Sequence, residues 1–274
     1  MPSTSSKQNR PAEFARRLTA STRPYRLSPV LDIIMPPICV HCHKPVSAHG
    51  QLCPPCWNQI DFITRPCCDI TGIPLPYDTD PYGEDQKKVS ALALSHPPLY
   101  DRGRAVAHFS AVMRDLIHKL KYGDRREGLS LFGRWMLMAG QEFLLESDLL
   151  IPVPLYRTRL WQRRFNQSAL LCYELQRLTG MRVDVLSLKR RRATRSQIGL
   201  SQQARRANVS NAFSISPRHK KKIEGRNILL VDDVLTTGST VDACAHTLKK
   251  SGARCVNVLV LARAGLGGNI EASG

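Results

Sequence analysis

Two adjacent carboxylates, Asp232 and Asp233, end the apolar run in RNILLVDDVLTTGSTVDAC, residues 226–244. Thr236, Thr237, Gly238, Ser239 and Thr240 follow, and then a helical pattern. Backbone N–H groups at a helix start carry positive partial charge and bind anions. The hydroxyls add donors, and Gly238 lets an anion approach the backbone. The loop therefore has the make-up of a phosphate cradle. It holds no lysine and no G-x4-G-K-[ST] pattern, so it is not the nucleotide P-loop. Carboxylates beside it would repel phosphate but suit sugar hydroxyls or Mg2+. Together the acids and the loop imply a phosphorylated sugar. An ordinary N-cap after a buried strand needs one Ser or Thr. It does not need two acids followed by four hydroxyl residues around a glycine.

Cys39, Cys42, Cys53 and Cys56 form a second constellation, two C-x2-C pairs ten residues apart. Each pair brings two thiolates to one ion from a tight turn, and two such turns complete a tetrahedral Zn2+ site. Four sulfur ligands leave no open position, so the zinc is expected to be structural. His41, His43 and His49 lie in this stretch and are expected on the surface. Neighbouring residues such as Cys67 and Cys68 rarely ligate one ion together. Cys172, Cys244 and Cys255 fall in apolar patterns, as small core residues do. This usage suggests a reducing compartment, hence a cytoplasmic protein.

The elements that must hold the acids are read from periodicity. GRAVAHFS, DLLIPVPL, NILLVDD and CVNVLVLAR have the texture of strands. AVMRDLIHKLKYGDRR, LSLFGRWMLMAGQEFLL and residues 239–251 have helical spacing. NQSALLCYELQRLTG does too, with Gly180 as its C-cap. Strands alternating with helices indicate an α/β fold with a parallel sheet, in which ligands bind beyond the carboxyl ends of the strands. The expected organisation is a basic tail (1–28) with a short helix near PAEFARRLTA, a four-cysteine module (29–73) and a Pro-, Gly- and Asp-rich linker (74–98). The α/β domain (99–265) and a C-terminal tail (266–274) follow. The 274 residues carry 40 Lys and Arg against 22 Asp and Glu, a net charge of +18. That balance favours an anionic partner: a phosphorylated small molecule, nucleic acid or an acidic membrane surface. No run is long and apolar enough for a membrane span.

ILLVDDVLTTGST resembles the signature of type I phosphoribosyltransferases, which bind 5-phosphoribosyl-1-pyrophosphate (PRPP). LDIIMPPICVHC, LIHKLKYGD, LLIPVPL, RRFNQSALL, RSQIGLSQQARRANVSNAF and ILLVDDVLTTGSTVDACAHTLKKSGA together resemble the ComF/GntX family of competence-protein-like phosphoribosyltransferases, over about residues 29–263. The resemblance implies the type I phosphoribosyltransferase fold behind a zinc module. Asp232 and Asp233 would contact the ribose hydroxyls, and Thr236, Thr237, Gly238, Ser239 and Thr240 would hold the 5′-phosphate. Many members carry a further cysteine pair; Thr71 stands where its second cysteine would be, which counts against a second zinc site. Thr236 replaces the Asp usual in purine enzymes, so no general base is assigned.

For transfer of a pentosyl group, Mg2+ would bridge pyrophosphate and ribose. The sugar C1 would gain positive charge and the leaving pyrophosphate would need neutralising. PVPLYRTRLWQRRFNQ follows a core strand and offers Arg157, Arg159, Arg163 and Arg164 as bidentate donors. Lys119 and Lys121 precede that strand; they read as surface lysines first, with one of them, Lys121 as the candidate, reaching pyrophosphate as the other reading. Residues 189–226 hold twelve Lys or Arg and one acid. They are expected to contain a mobile hood, with Gln197 and Arg206 at positions matching the family, or a nucleic-acid surface. The competence resemblance implies single-stranded DNA or a DNA-uptake protein as a further partner. A catalytically silent PRPP-fold regulator is a third reading. The acceptor and the oligomeric state are not written in the sequence.

Overall fold

The computed structural model describes residues 36–75, 88–122, 128–163, 165–192 and 212–265. Both expected tails, the helix near PAEFARRLTA, and Gln197 and Arg206 lie outside the described residues. In chain order the elements are α1 (Pro54–Trp57), α2 (Ala91–Ser95), β1 (Arg102–His108), α3 (Ala111–Tyr122), α4 (Leu129–Ala139), α5 (Gln141–Glu146), β2 (Leu149–Pro152), α6 (Arg157–Arg163) and α7 (Gln167–Thr179). They continue with β3 (Leu188–Arg190), β4 (Phe213–Ile215), α8 (Pro217–Ile223), β5 (Asn227–Leu235), α9 (Ser239–Lys250) and β6 (Cys255–Arg263).

Four strands form one parallel sheet in the order β1-β6-β5-β2. Helices cover both faces, which is why its strands read as nearly unbroken apolar runs. Side chains alternate between the faces. Leu229, Val231, Leu259 and Leu261 join one core with Met113, Ile117, Phe132, Leu171 and Leu175 from α3, α4 and α7. Ile228, Leu230, Val258 and Val260 join the other with Val241, Cys244 and Leu248 of α9 and Ile223 of α8. The expected parallel α/β architecture is present, and β5 lies in the interior of the sheet.

One expected helix is two. The run from 129 to 146 breaks at Gly140, where α4 ends and α5 begins. A Cβ on Gly140 would sit 2.6 Å from a methyl of Leu259. The chain therefore crosses close above β6 there, and a side chain at this position would displace the tip of Leu259. Of the basic segment, β3 and β4 form a separate antiparallel pair, backed by α8. Ser187 Oγ donates to Asp184 Oδ2 at 2.5 Å and lies 3.0 Å from His219 Nδ1. This Asp-Ser-His set is fully buried at Ser187 and ties α8 to the pair; it presents no nucleophile.

The cysteine module is built into the sheet. Residues 61–63 run antiparallel to β1: Ile63 N donates to Val106 O at 2.9 Å and His108 N to Asp61 O at 2.8 Å. This covers an edge strand that would otherwise expose its backbone. Trp57, Phe62 and Trp135 stack across the seam, with successive ring centroids 5.0 and 5.2 Å apart. Two buried arginines pin the second half of the module. Arg104 of β1 donates to Cys68 O at 3.2 Å and pairs with Glu142 at 3.0 Å. Arg263 of β6 donates to Thr71 O at 2.6 Å. Of the expected linker, residues 88–90 return to the module: Asp69 N donates to Lys88 O at 2.8 Å.

Candidate functional site

β2 ends at Pro152, opposite Val231, whereas β5 continues beside β6 to Leu235. Asp232 and Asp233 are therefore the first β5 residues past the end of β2, in the crevice where ligands of parallel sheets bind. Ser168 Oγ donates to Asp232 Oδ1 at 2.8 Å, and Asp233 N donates to the same oxygen at 3.0 Å. Lys121 Nζ lies 3.1 Å from Asp233 Oδ2, with both side chains largely buried. Burial raises the Asp232 carboxyl, and the charge of Asp233 raises it further, to about 7. Ser168, the Asp233 N–H and Lys121 oppose the rise. The pair thus stores negative charge in a place where a ligand hydroxyl or cation would relieve it.

The hydroxyl loop connects β5 to α9. Gly238 has φ 79°, a left-handed conformation that favours glycine, and it starts α9. Thr236 and Thr237 are exposed, while Gly238, Ser239 and Thr240 are half-buried. Thr237 Oγ1 and Ser239 Oγ are 3.0 Å apart. N–H groups in the first turn of α9 have no partner within the helix, so the helix start can receive an anion. The acids and the cradle stand three residues apart in the chain.

Of the expected basic contacts, Lys121 is at the site. Lys119 points the other way and donates to the carbonyls of Val40 and His41 at 3.2 and 2.5 Å. A helix periodicity of 3.6 residues separates the two lysines by nearly half a turn. Arg157, Arg159 and Arg163 belong to α6, just beyond the end of β2. Arg163 Nη1 donates to Gln167 Oε1 at 3.4 Å. The side chains of Arg157 and Arg159, and all of Arg164, lie outside what is described. Sequence reading missed Asn166, Gln167 and Ser168 as parts of the site. The available signal was a Gln and a Ser opening a helix whose next inward positions, Leu171, Cys172 and Leu175, are apolar.

The second constellation also assembles. The Sγ atoms of Cys39, Cys42, Cys53 and Cys56 all lie within 4.8 Å of one another. A zinc tetrahedron with Zn–S bonds of about 2.3 Å needs edges of about 3.8 Å, so four thiolates here fit Zn2+. Burial acts to raise the Cys39 thiol, but N–H groups of Cys42, Cys53 and His41 outweigh it and bring it down to about 6. Such N–H donors suit a thiolate ligand. His43 is exposed as expected, whereas His41 and His49 are half-buried. His41 Nδ1 is 3.3 Å from Cys56 Sγ and Nε2 is 3.4 Å from Asp115. His41 therefore packs against the cluster and links it to α3. Cys172 and Cys244 are buried core residues, and Cys255 is only partly so.

Two family models match: a double zinc ribbon domain at residues 30–86 and a phosphoribosyl transferase domain at 175–268. DNA utilization protein YhgH of Escherichia coli O6:H1 is 35% identical over 237 residues, covering 84% of this chain and 99% of that protein. Competence protein F of Haemophilus influenzae is 32% identical, covering 82% of this chain and 96% of its own. The chain belongs to the ComF/GntX family. Among solved structures, a purine phosphoribosyltransferase from Pyrococcus horikoshii is similar at TM-score 0.31 and 16% identity, over 49% of this chain and 73% of that one.

This ComF/GntX chain has one four-cysteine cluster among its described residues. In the second half of the ribbon, Cys68 Sγ instead accepts N–H groups of Thr71 and Ser90 at 3.4 and 3.3 Å. Burial opposes ionisation of Cys68, yet those donors hold its thiol down at about 7. Cys67 lies against Arg104 beside a cavity of about 490 Å³ lined also by Glu142 and Met138, and burial raises its thiol. No helix among the described residues is long and apolar enough to cross a membrane.

Proposed function

We propose that this protein binds PRPP together with Mg2+ and transfers or senses its phosphoribosyl group. The observation that carries the reading is the half-buried Asp232–Asp233 pair near the carboxyl end of β5, with the Gly238 loop and the start of α9 directly behind it. In this reading the carboxylates take the ribose hydroxyls, and Thr236, Thr237, Gly238, Ser239 and Thr240 take the 5′-phosphate. Lys121 and Arg163 are the candidates for the pyrophosphate, and Arg157 and Arg164 stay candidates from the sequence alone. Asp232 and Asp233 would also be the residues to hold Mg2+, which would supply neutralisation of the pyrophosphate charge. As the C1–O bond to pyrophosphate breaks, positive charge grows on the sugar, and the two carboxylates beside the ring stabilise it. Lys121 and the arginines take up the charge that moves onto the leaving group. The reaction is then that of a pentosyl-group glycosyltransferase in a reducing, cytoplasmic setting.

Calorimetry on the full chain tests this. PRPP with Mg2+ should bind the wild type, and Asp232→Asn with Asp233→Asn should abolish binding while the protein stays folded. A folded wild type that takes up no PRPP would sink the reading. PRPP bound without pyrophosphate release across nucleobases and small amines would identify a silent regulator.

A second, compatible reading is contact with single-stranded DNA or a DNA-uptake protein. Exposed Arg218, Lys220, Lys221 and Lys222 on α8 and the names of the relatives favour it. Neutralising these four residues should weaken DNA binding and flatten its salt dependence, by about 0.7 of a unit of log-log slope for each phosphate of a single strand no longer neutralised. Unchanged affinity would count against it.

A further inference from the structure

The site's acids are held by a turn that itself reaches none of the proposed ligand positions. Asn166, Gln167 and Ser168 open α7 and reach three different walls. Asn166 caps the helix by accepting from Ser168 N at 3.1 Å, and its Nδ2 donates to Val153 O, just past β2, at 3.1 Å. Gln167 Nε2 donates to the backbone carbonyl of Lys121 at 3.4 Å. Ser168 Oγ donates to Asp232 Oδ1 at 2.8 Å. Gln167 and Ser168 are 1% and 3% exposed, although both types usually face water. The turn cannot drift, because Leu171, Cys172 and Leu175 behind it are fully buried.

Helix formation alone does not explain these side chains. Ser168 is the second residue of α7, where no preceding turn offers its hydroxyl a carbonyl, and it bonds a carboxylate 64 residues away. A buried Gln gives up nearly all its rotamer freedom, and here it fixes the end of α3. The bonds also select an atom. Asp232 Oδ1 takes both the Ser168 O–H and the Asp233 N–H, which leaves Oδ2 free of these two bonds.

We propose that Ser168 and Gln167 are positioning residues for the acid pair, Ser168 by fixing the rotamer of Asp232 and Gln167 by holding the helix end that places Lys121 on Asp233. The proposal rests on the PRPP reading for the identity of the ligand. An oriented carboxylate and counter-charge spare the ligand the ordering of loose side chains.

The test uses the full chain and two readouts. In PRPP–Mg2+ titrations, Ser168→Ala should bind about tenfold more weakly, the effect of losing one hydrogen bond to a charged group. Ser168→Thr keeps the hydroxyl and should return to within about threefold of wild type. Gln167→Met should also weaken binding, and by less in a Lys121→Met background than alone, because part of its effect runs through that lysine and part through Arg163, which donates to Gln167 Oε1 at 3.4 Å. Ser168→Ala at wild-type affinity, or Ser168→Thr as weak as Ser168→Ala, would overturn the proposal. The second readout needs no ligand: a urea-unfolding cycle of Ser168→Ala, Asp232→Ala and the double variant. Coupling of about fivefold or more in the unfolding constant supports positioning, and additivity overturns it. A wild type that ignores PRPP defeats the ligand assignment, and the cycle still decides the positioning.

Discussion

Asp232 is the residue at which stability and function pull apart. Its folded-state acidity is raised from 3.8 to about 7, by burial first and then by Asp233. Between those values the folded protein binds more protons than the unfolded chain, so this group's stabilising contribution is present at low pH and is lost as pH rises through about 7. Asp232→Asn removes that dependence. Without ligand, the variant should melt a few degrees higher than wild type at pH 8, with a flatter pH profile from 5 to 8. Differential scanning calorimetry reads this directly, and a variant that melts lower at pH 8 would contradict it. The acids were legible in the sequence because two carboxylates ahead of a hydroxyl loop have no packing rationale. Ser168 was not, because a serine in a helical pattern looks neutral until tertiary contact shows what it faces. Lys121 and Lys119 were separable only by helix phase, which two residues of spacing leave open until a partner is known.

At the scale of elements, the sheet was readable because strands buried on both faces leave uninterrupted apolar runs, as in NILLV and CVNVLVLA. The break at Gly140 was not, since its cause is Leu259, far off in sequence. Nor was the path of residues 61–63 beside β1, a pairing that is set by the edge they cover. That seam has a consequence for the zinc ribbon. Cys39, Leu52, Cys53, Cys56 and Ile60 share one core with Met113, Leu116 and Trp135, so ribbon and domain should unfold together. Removing zinc with a chelator, or Cys42→Ser, should lower the main melting transition by about 10 °C or more, given how much folding energy a structural zinc supplies. A separate low-temperature transition, with the main one unmoved, would show the ribbon to be an independent unit.

The whole molecule is a zinc ribbon fused to a phosphoribosyltransferase domain, with a charge of +18. Composition alone left nucleic acid, membrane and phosphorylated metabolite equally open. The fold narrows the choice at one place, where a half-buried acid pair and a helix start for anions lie side by side. That arrangement makes sense for a ligand carrying hydroxyls at one end and phosphate at the other. The most direct measurement is calorimetric titration of the intact protein with PRPP, compared with pyrophosphate alone, both with Mg2+. The account predicts that PRPP binds at least about tenfold more tightly than pyrophosphate, one added charge-assisted hydrogen bond being worth that much, and that this advantage vanishes in Asp232→Asn/Asp233→Asn. Equal affinity for the two, or an advantage that survives the double substitution, would contradict it.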